Sequence, residues 1–316
     1  MKALELVNME YGECVVMLGR ARDILMVDCG SVSQKLREGD VPMDTWLEQL
    51  ASRYDGAMDR AFLLTHYHRD HLSGFQKLLD LRENYFSRVY LPRPPLDSHG
   101  RPILLEYALF AYLFAQPQSD AFQVNTWCIK AFRSLGEKLG QDRVFTLAAG
   151  DRFHFDGVEY EVLWPRAENY PFDPQLGETL ESLNILFASP FQSGCVQRFL
   201  KLKEEFLSLY VKCAEAFSVS GRALPEKRRA YLEHLNQILE DLEALREELG
   251  HTSQAHDVRE SLLSPLNAGA YTGDVNGASV VFQNVRTSGP SEQDLPMTGD
   301  ATPETLVEIM DKLYDG

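Results

Sequence analysis

The segment His66-Tyr67-His68-Arg69-Asp70-His71 constrains this chain more than any other. Three of its eight histidines and one carboxylate fall within six residues. The apolar run Ala61-Phe62-Leu63-Leu64 precedes it, and Leu72-Ser73-Gly74-Phe75-Gln76-Lys77-Leu78-Leu79 follows with the pattern of a helix start. A strand that runs into a donor-rich loop and then a helix delivers its side chains to one edge of a sheet. An α/β protein with chemistry at a strand end is therefore expected. Neutral imidazole and carboxylate oxygen suit Zn²⁺ and similar first-row ions such as Mn²⁺. Four donors at one edge can serve two ions about 3.5–4 Å apart, the separation used by two-metal hydrolases. A single histidine would be read as a solvated or helix-capping residue; four donors at this spacing favour a metal.

Two further acidic positions follow apolar strands. Asp23-Ile24-Leu25-Met26-Val27-Asp28-Cys29-Gly30 ends in Asp-x-Gly, and Leu295-Pro296-Met297-Thr298-Gly299-Asp300 comes after Ala278-Ser279-Val280-Val281-Phe282. Each alone is ordinary turn chemistry. Together with the His-x-His-x-Asp-His motif, and in this order, they resemble the metallo-β-lactamase fold superfamily. The resemblance implies an αββα sandwich in which His66 and His68 hold one ion and Asp70 and His71 the second. It makes Asp300 the carboxylate shared between the ions, Asp28 a brace behind the metal loop, and Asp70 an orienting group for hydroxide generated at the metal. Val162-Leu163-Trp164-Pro165, Asn276-x-x-Ser279-x-Val281 and Thr298-Gly299-Asp300 are similar to a narrower subgroup, typified by the hydrolase domain of ComEC-type DNA-uptake proteins. That likeness implies phosphodiester substrates, nucleic acid or nucleotide.

The resemblance covers roughly residues 1–170 and 271–316, read as the first part and the start of the second half of one domain. It departs from the family in two places. No histidine in 270–300 can act as the usual third-motif ligand, and the last histidine, His256, precedes Asp300. The subgroup also places a His-His-Gly-Ser-like motif after the Gly-Asp, whereas this sequence ends at Gly316. A truncated product, a partner that completes the fold, or a degenerate module would each account for this. A non-catalytic or partner-completed binding scaffold is thus the alternative to a hydrolase.

Residues 171–270 break the pattern. Pro171-Phe172-Asp173-Pro174 and Gly177 suggest a loop. Leu202, Phe206, Leu209, Cys213 and Phe217, then Leu235, Ile238, Leu242, Leu245 and Leu249, recur at helical spacing. They predict a helical hairpin over 195–250 that could engage a protein partner or a second copy. Residues 251–276 are Gly-, Ser- and Asn-rich and are expected to form a flexible return. Residues 303–313 are expected to form an amphipathic helix with 306, 309, 310 and 313 on its apolar face. The aromatic stretch with Tyr107, Phe110, Tyr112, Phe114, Phe122 and Trp127 is expected to pack a helical cap rather than line a cleft. His154 alternates within a hairpin turning at Asp156-Gly157 and should face solvent.

Composition is that of a folded protein: 316 residues, 44% hydrophobic and 25% charged. No apolar run is long enough for a membrane span, and the N-terminus lacks the apolar core of a signal peptide. Five scattered cysteines, an odd number, favour reduced thiols and a cytoplasmic location; Cys29 is expected to be a packed thiol. The net charge of −16 opposes non-specific binding to a phosphate backbone. No Gly-x-Ser-x-Gly elbow, phosphate-binding Gly-rich loop with Lys, or Cys-x-x-Cys pair is present.

Overall fold

The computed structural model describes residues 1–33, 35–36, 41–115, 126–188, 194–285 and 295–314. The strands are β1 (Ala3–Leu6), β2 (Val15–Leu18), β3 (Ile24–Val27), β4 (Lys35–Leu36), β5 (Val41–Pro42), β6 (Arg60–Leu63), β7 (Arg88–Pro92), β8 (Val144–Leu147), β9 (Arg152–Phe155), β10 (Val158–Trp164), β11 (Val281–Asn284) and β12 (Pro296–Met297). The helices are α1 (Met43–Arg53), α2 (Arg69–Leu81), α3 (Ile103–Phe114), α4 (Trp127–Leu139), α5 (Pro174–Phe187), α6 (Gly194–Ala216), α7 (Pro225–Gly250), α8 (Gln254–Leu263), α9 (Pro265–Gly277) and α10 (Pro303–Tyr314).

The fold is α/β. A six-stranded sheet runs in the order β1-β2-β3-β6-β7-β8, antiparallel across the first three strands and parallel from β3 to β8. A second, antiparallel sheet runs β12-β11-β10-β9. Side chains alternate across the first sheet, as strand geometry requires. Leu25, Val27, Ala61, Leu63 and Tyr90 point inward to meet Phe153, Phe155, Tyr160, Val162 and Phe282 of the second sheet. Val16, Ile24, Met26, Phe62, Val89 and Leu91 point outward into a large helical core that includes Leu47 and Leu50 of α1 and Phe75 and Leu78 of α2. On the far face of the second sheet, Trp164, Tyr170 and Val281 pack with Ile309 of α10. The layers therefore run helix, sheet, sheet, helix.

The helical insertion is larger than a hairpin. Helix α5 (174–187) takes in Pro174 and Gly177, where a loop was expected, because Asp173 caps it by accepting from the Gln175 N–H and Pro174 occupies its first turn. Residues 251–276, expected to be flexible, form α8 and α9. Ser264 accepts from the Asn267 N–H ahead of Pro265, and Ala255, Val258, Leu262, Ala268, Tyr271 and Val275 are buried. The stripes of α6 and α7 are buried as the spacing predicts, but they join the main helical core instead of standing apart. The hairpin exposes one large apolar side chain among the described residues, Leu224. Tyr107, Phe110, Tyr112, Phe114 and Trp127 are buried in that core; Phe122 lies outside the described residues. Of the apolar positions expected on α10, Ile309 is buried and Met310 exposed, while residue 313 lies outside the described side chains. His154 is exposed and Cys29 is buried. Among the described residues, no helix is long and apolar enough to cross a membrane.

Inside the core, Lys203 of α6 and Glu106 of α3 form an ion pair at 2.5 Å, with exposures of 2% and 5% for the two side chains. Asn184 of α5 donates to the same carboxylate at 3.0 Å. Three helices of the cap are thus joined at one polar point within an otherwise apolar cluster.

Candidate metal centre

The site is assembled where β3 and β6 end side by side. Asp28 follows β3 in the left-handed region, φ 56°, which Asp tolerates better than most residues. Its carboxylate is buried at 1% exposure. Oδ1 accepts from the Thr65 N–H at 2.8 Å, and Oδ2 accepts from the Thr65 hydroxyl at 2.7 Å and from His71 Nδ1 at 2.9 Å. One carboxylate therefore ties the start of the donor-rich loop to its end. A Cβ on Gly30 would lie 2.5 Å from the Asp70 carbonyl carbon, so only glycine lets the chain after β3 pass under the loop.

Asp28 also decides which nitrogen of His71 is available. With Nδ1–H donated to the carboxylate, Nε2 is left facing the site. That atom is buried and has no hydrogen-bond partner. It lies 3.4 Å from Asp300 Oδ2, without hydrogen-bond alignment, and 3.9 Å from Asp70 Oδ2. His66 is held at Nδ1 by the Thr65 hydroxyl at 3.0 Å and the Ser279 hydroxyl at 3.1 Å, and its Nε2 stands 3.1 Å from His68 Nδ1.

The charge states fit a cation-binding site. Burial, reinforced by the neighbouring His71 and His68, pushes His66 well below its ordinary value and keeps it neutral. Burial also lowers His68. His71 goes the other way: burial opposes its charge, but the hydrogen bond to Asp28 and the close carboxylates of Asp28 and Asp300 raise it to about 10. The adjacent His71 in turn holds Asp300 below the usual carboxylate range. Two carboxylates thus demand positive charge at His71, which a metal ion at Nε2 would supply in place of a proton.

His66, His71 and Asp300 can each offer one atom within 4.8 Å of the others. His68 adjoins His66, and Asp70, 39% exposed, flanks His71. Three protein donors with flanking groups fit a catalytic-type metal site. Asp300 arrives from the second sheet on the turn between β12 and α10. Gly299 makes that turn with φ 50°, and a Cβ there would lie 2.9 Å from Thr65 Cβ.

Four contributors were not identified from sequence as site residues. Thr65 and Ser279 orient His66, and Asn276 stands beside His68, favouring its protonated form. Glu13 lies 3.9 Å from His71 Nδ1, and partial burial raises its carboxyl. Glu13, Asp28 and His71 also cluster closely, but Nδ1 is already committed to Asp28, so this second group is a brace. The Asn-x-x-Ser spacing was the available signal for Asn276 and Ser279; nothing local marked Glu13. No family model matches this chain, and no curated protein is significantly similar to it.

Proposed function

We propose that this protein is a metal-dependent hydrolase on a metallo-β-lactamase-like frame, acting on phosphodiester bonds. One observation carries the reading: a buried, unpartnered imidazole nitrogen, fixed in its tautomer by Asp28, converges with His66 and Asp300. Zn²⁺ or Mn²⁺ held there would supply Lewis acidity and a water acidified toward neutrality. His66, His71 and Asp300 are the holding residues, with His68 and Asp70 beside them. Asp70, the most exposed of these acids, is placed to orient the attacking water and accept its proton. Asp28, Thr65 and Ser279 keep the imidazoles aimed. The phosphodiester assignment is supported by the likeness to ComEC-type hydrolase domains, whose marks Asn276, Ser279 and Asp300 all lie at this site.

The test is metal content of the purified chain together with hydrolysis of bis(p-nitrophenyl) phosphate. Retained metal and turnover that fall to background in both His71→Ala and Asp300→Ala are expected. Turnover unchanged in either variant would place the chemistry elsewhere. A folded chain that retains no Zn²⁺ or Mn²⁺ would favour the scaffold reading.

A further inference from the structure

A cavity opens beside His66 on the side of the helical insertion. Tyr67, Leu104, Leu105, Tyr210, Tyr271 and Val275 contribute to its wall, together with prolines after β7. Tyr210 spends its hydroxyl on the Cys128 carbonyl at 2.8 Å, and Tyr271 stacks on Tyr107 with centroids 4.7 Å apart. Burial pushes the phenols of Tyr67, Tyr210 and Tyr271 upward, so they stay neutral. The wall is therefore rigid, aromatic and uncharged.

One cation reaches it. Arg93, 17% exposed, also lines the cavity, and its guanidinium is pinned through Nη2 to Asp151 at 2.6 Å and Ser218 at 2.5 Å. Asp151 is itself fixed by the Ala148 N–H at 2.9 Å and the Ser220 hydroxyl at 2.6 Å. These bonds fix a positive charge beside an otherwise uncharged wall.

Building on the proposed hydrolase, we infer that this cavity selects a small monoanionic phosphodiester carrying one uncharged aromatic or compact apolar ester group, not a polynucleotide strand. The apolar wall takes the apolar group beside His66, and the fixed positive charge of Arg93 favours the single negative charge. A nucleic-acid strand would instead need a basic track along successive phosphates, and the chain carries a net charge of −16.

Calorimetry on the Zn²⁺-loaded protein tests this without relying on turnover. The probes are methyl phenylphosphonate and methyl methylphosphonate, both monoanions, with an oligothymidylate as competitor. The phenyl compound should bind at least about tenfold more tightly, as filling an apolar pocket requires. Leu104→Trp should erase that preference. Leu104→Ala, which demands no new volume, should shift preference toward methyl naphthylphosphonate. Equal affinities for phenyl and methyl probes with metal retained, or displacement of the phenyl probe by oligothymidylate, would overturn the inference and leave the metal centre standing. Failure to retain metal would overturn the hydrolase reading and the inference with it.

Discussion

Replacing Asp28 by Asn separates the fold from the metal site. The carboxylate accepts three hydrogen bonds, two from Thr65 and one from His71. An amide can keep the bond from the Thr65 N–H through its oxygen. Its NH₂ then faces the Thr65 hydroxyl and His71 Nδ1, both of which can turn acceptor. The hydroxyl does so by rotation. His71 does so only by moving its proton to Nε2, the atom aimed at the metal. Hydrogen bonds to a charged acceptor are worth about 1 kcal/mol more than neutral ones, so three exchanges cost at most roughly 3 kcal/mol, partly offset because a buried charge is removed. The variant should therefore fold. Metal binding must first restore the original tautomer against the amide, at a cost of about 1–3 kcal/mol, a loss of roughly 10–100-fold in affinity. Chelator-competition titration with Zn²⁺ reads the affinity, urea denaturation in EDTA reads the fold, and the ¹⁵N shifts of His71 read the tautomer. A folded Asp28→Asn chain whose Zn²⁺ affinity stays within twofold of the parent would refute the argument.

Lys203→Met should destabilise the chain by about 3–5 kcal/mol in urea, because it leaves the Glu106 carboxylate buried without its countercharge; adding Glu106→Gln should recover most of the loss. Asp274 is raised to about 6 by burial, so the folded state favours its protonated form. Its contribution to stability is greatest below about pH 4 and falls as pH rises through 6, by roughly 1–3 kcal/mol. Denaturation of Asp274→Asn, which can still accept from the Asp173 N–H, should lack that decline between pH 4 and 7. Gly299→Ala should cost about 1–3 kcal/mol from its positive φ and the approach to Thr65, and should weaken Zn²⁺ binding by displacing Asp300; unchanged affinity would argue against Asp300 as a ligand.

The strongest local signals were also the most legible. The donor-dense loop, the Asp after β3 and the Gly-Asp before α10 meet at one end of the two sheets because strand ends and turn residues declare themselves in sequence. Which donors meet was not legible. The grouping of His66, His71 and Asp300 depends on how Asp28 rotates the His71 ring and on how closely Gly299 lets a distant turn approach. Helix α9 was obscured by its Gly and Asn content, which local propensity reads as loop, and α8 by its short, mostly polar sequence. Their apolar side chains are held by tertiary burial; the cap Ser264-Pro265 was the usable sign of α9, as Asp173-Pro174 was of α5. Glu13 could not have been found, since its role comes from a loop docking beside Asp70 through a backbone bond of 3.0 Å.

Helix α9 carries Tyr271 and Val275 along the cavity wall, and the chain then runs on through Asn276 and Ser279 to the imidazoles. The insertion and the metal edge are consequently not interchangeable parts. Any remodelling of the cap that shifts this helix changes, in the same stroke, the shape offered to a substrate and the aim of His66. Grafting the cap onto another scaffold would have to carry the Ser279 turn with it, and variants selected for a new side group should accumulate compensating changes at Thr65 and Ser279 as well as in the pocket.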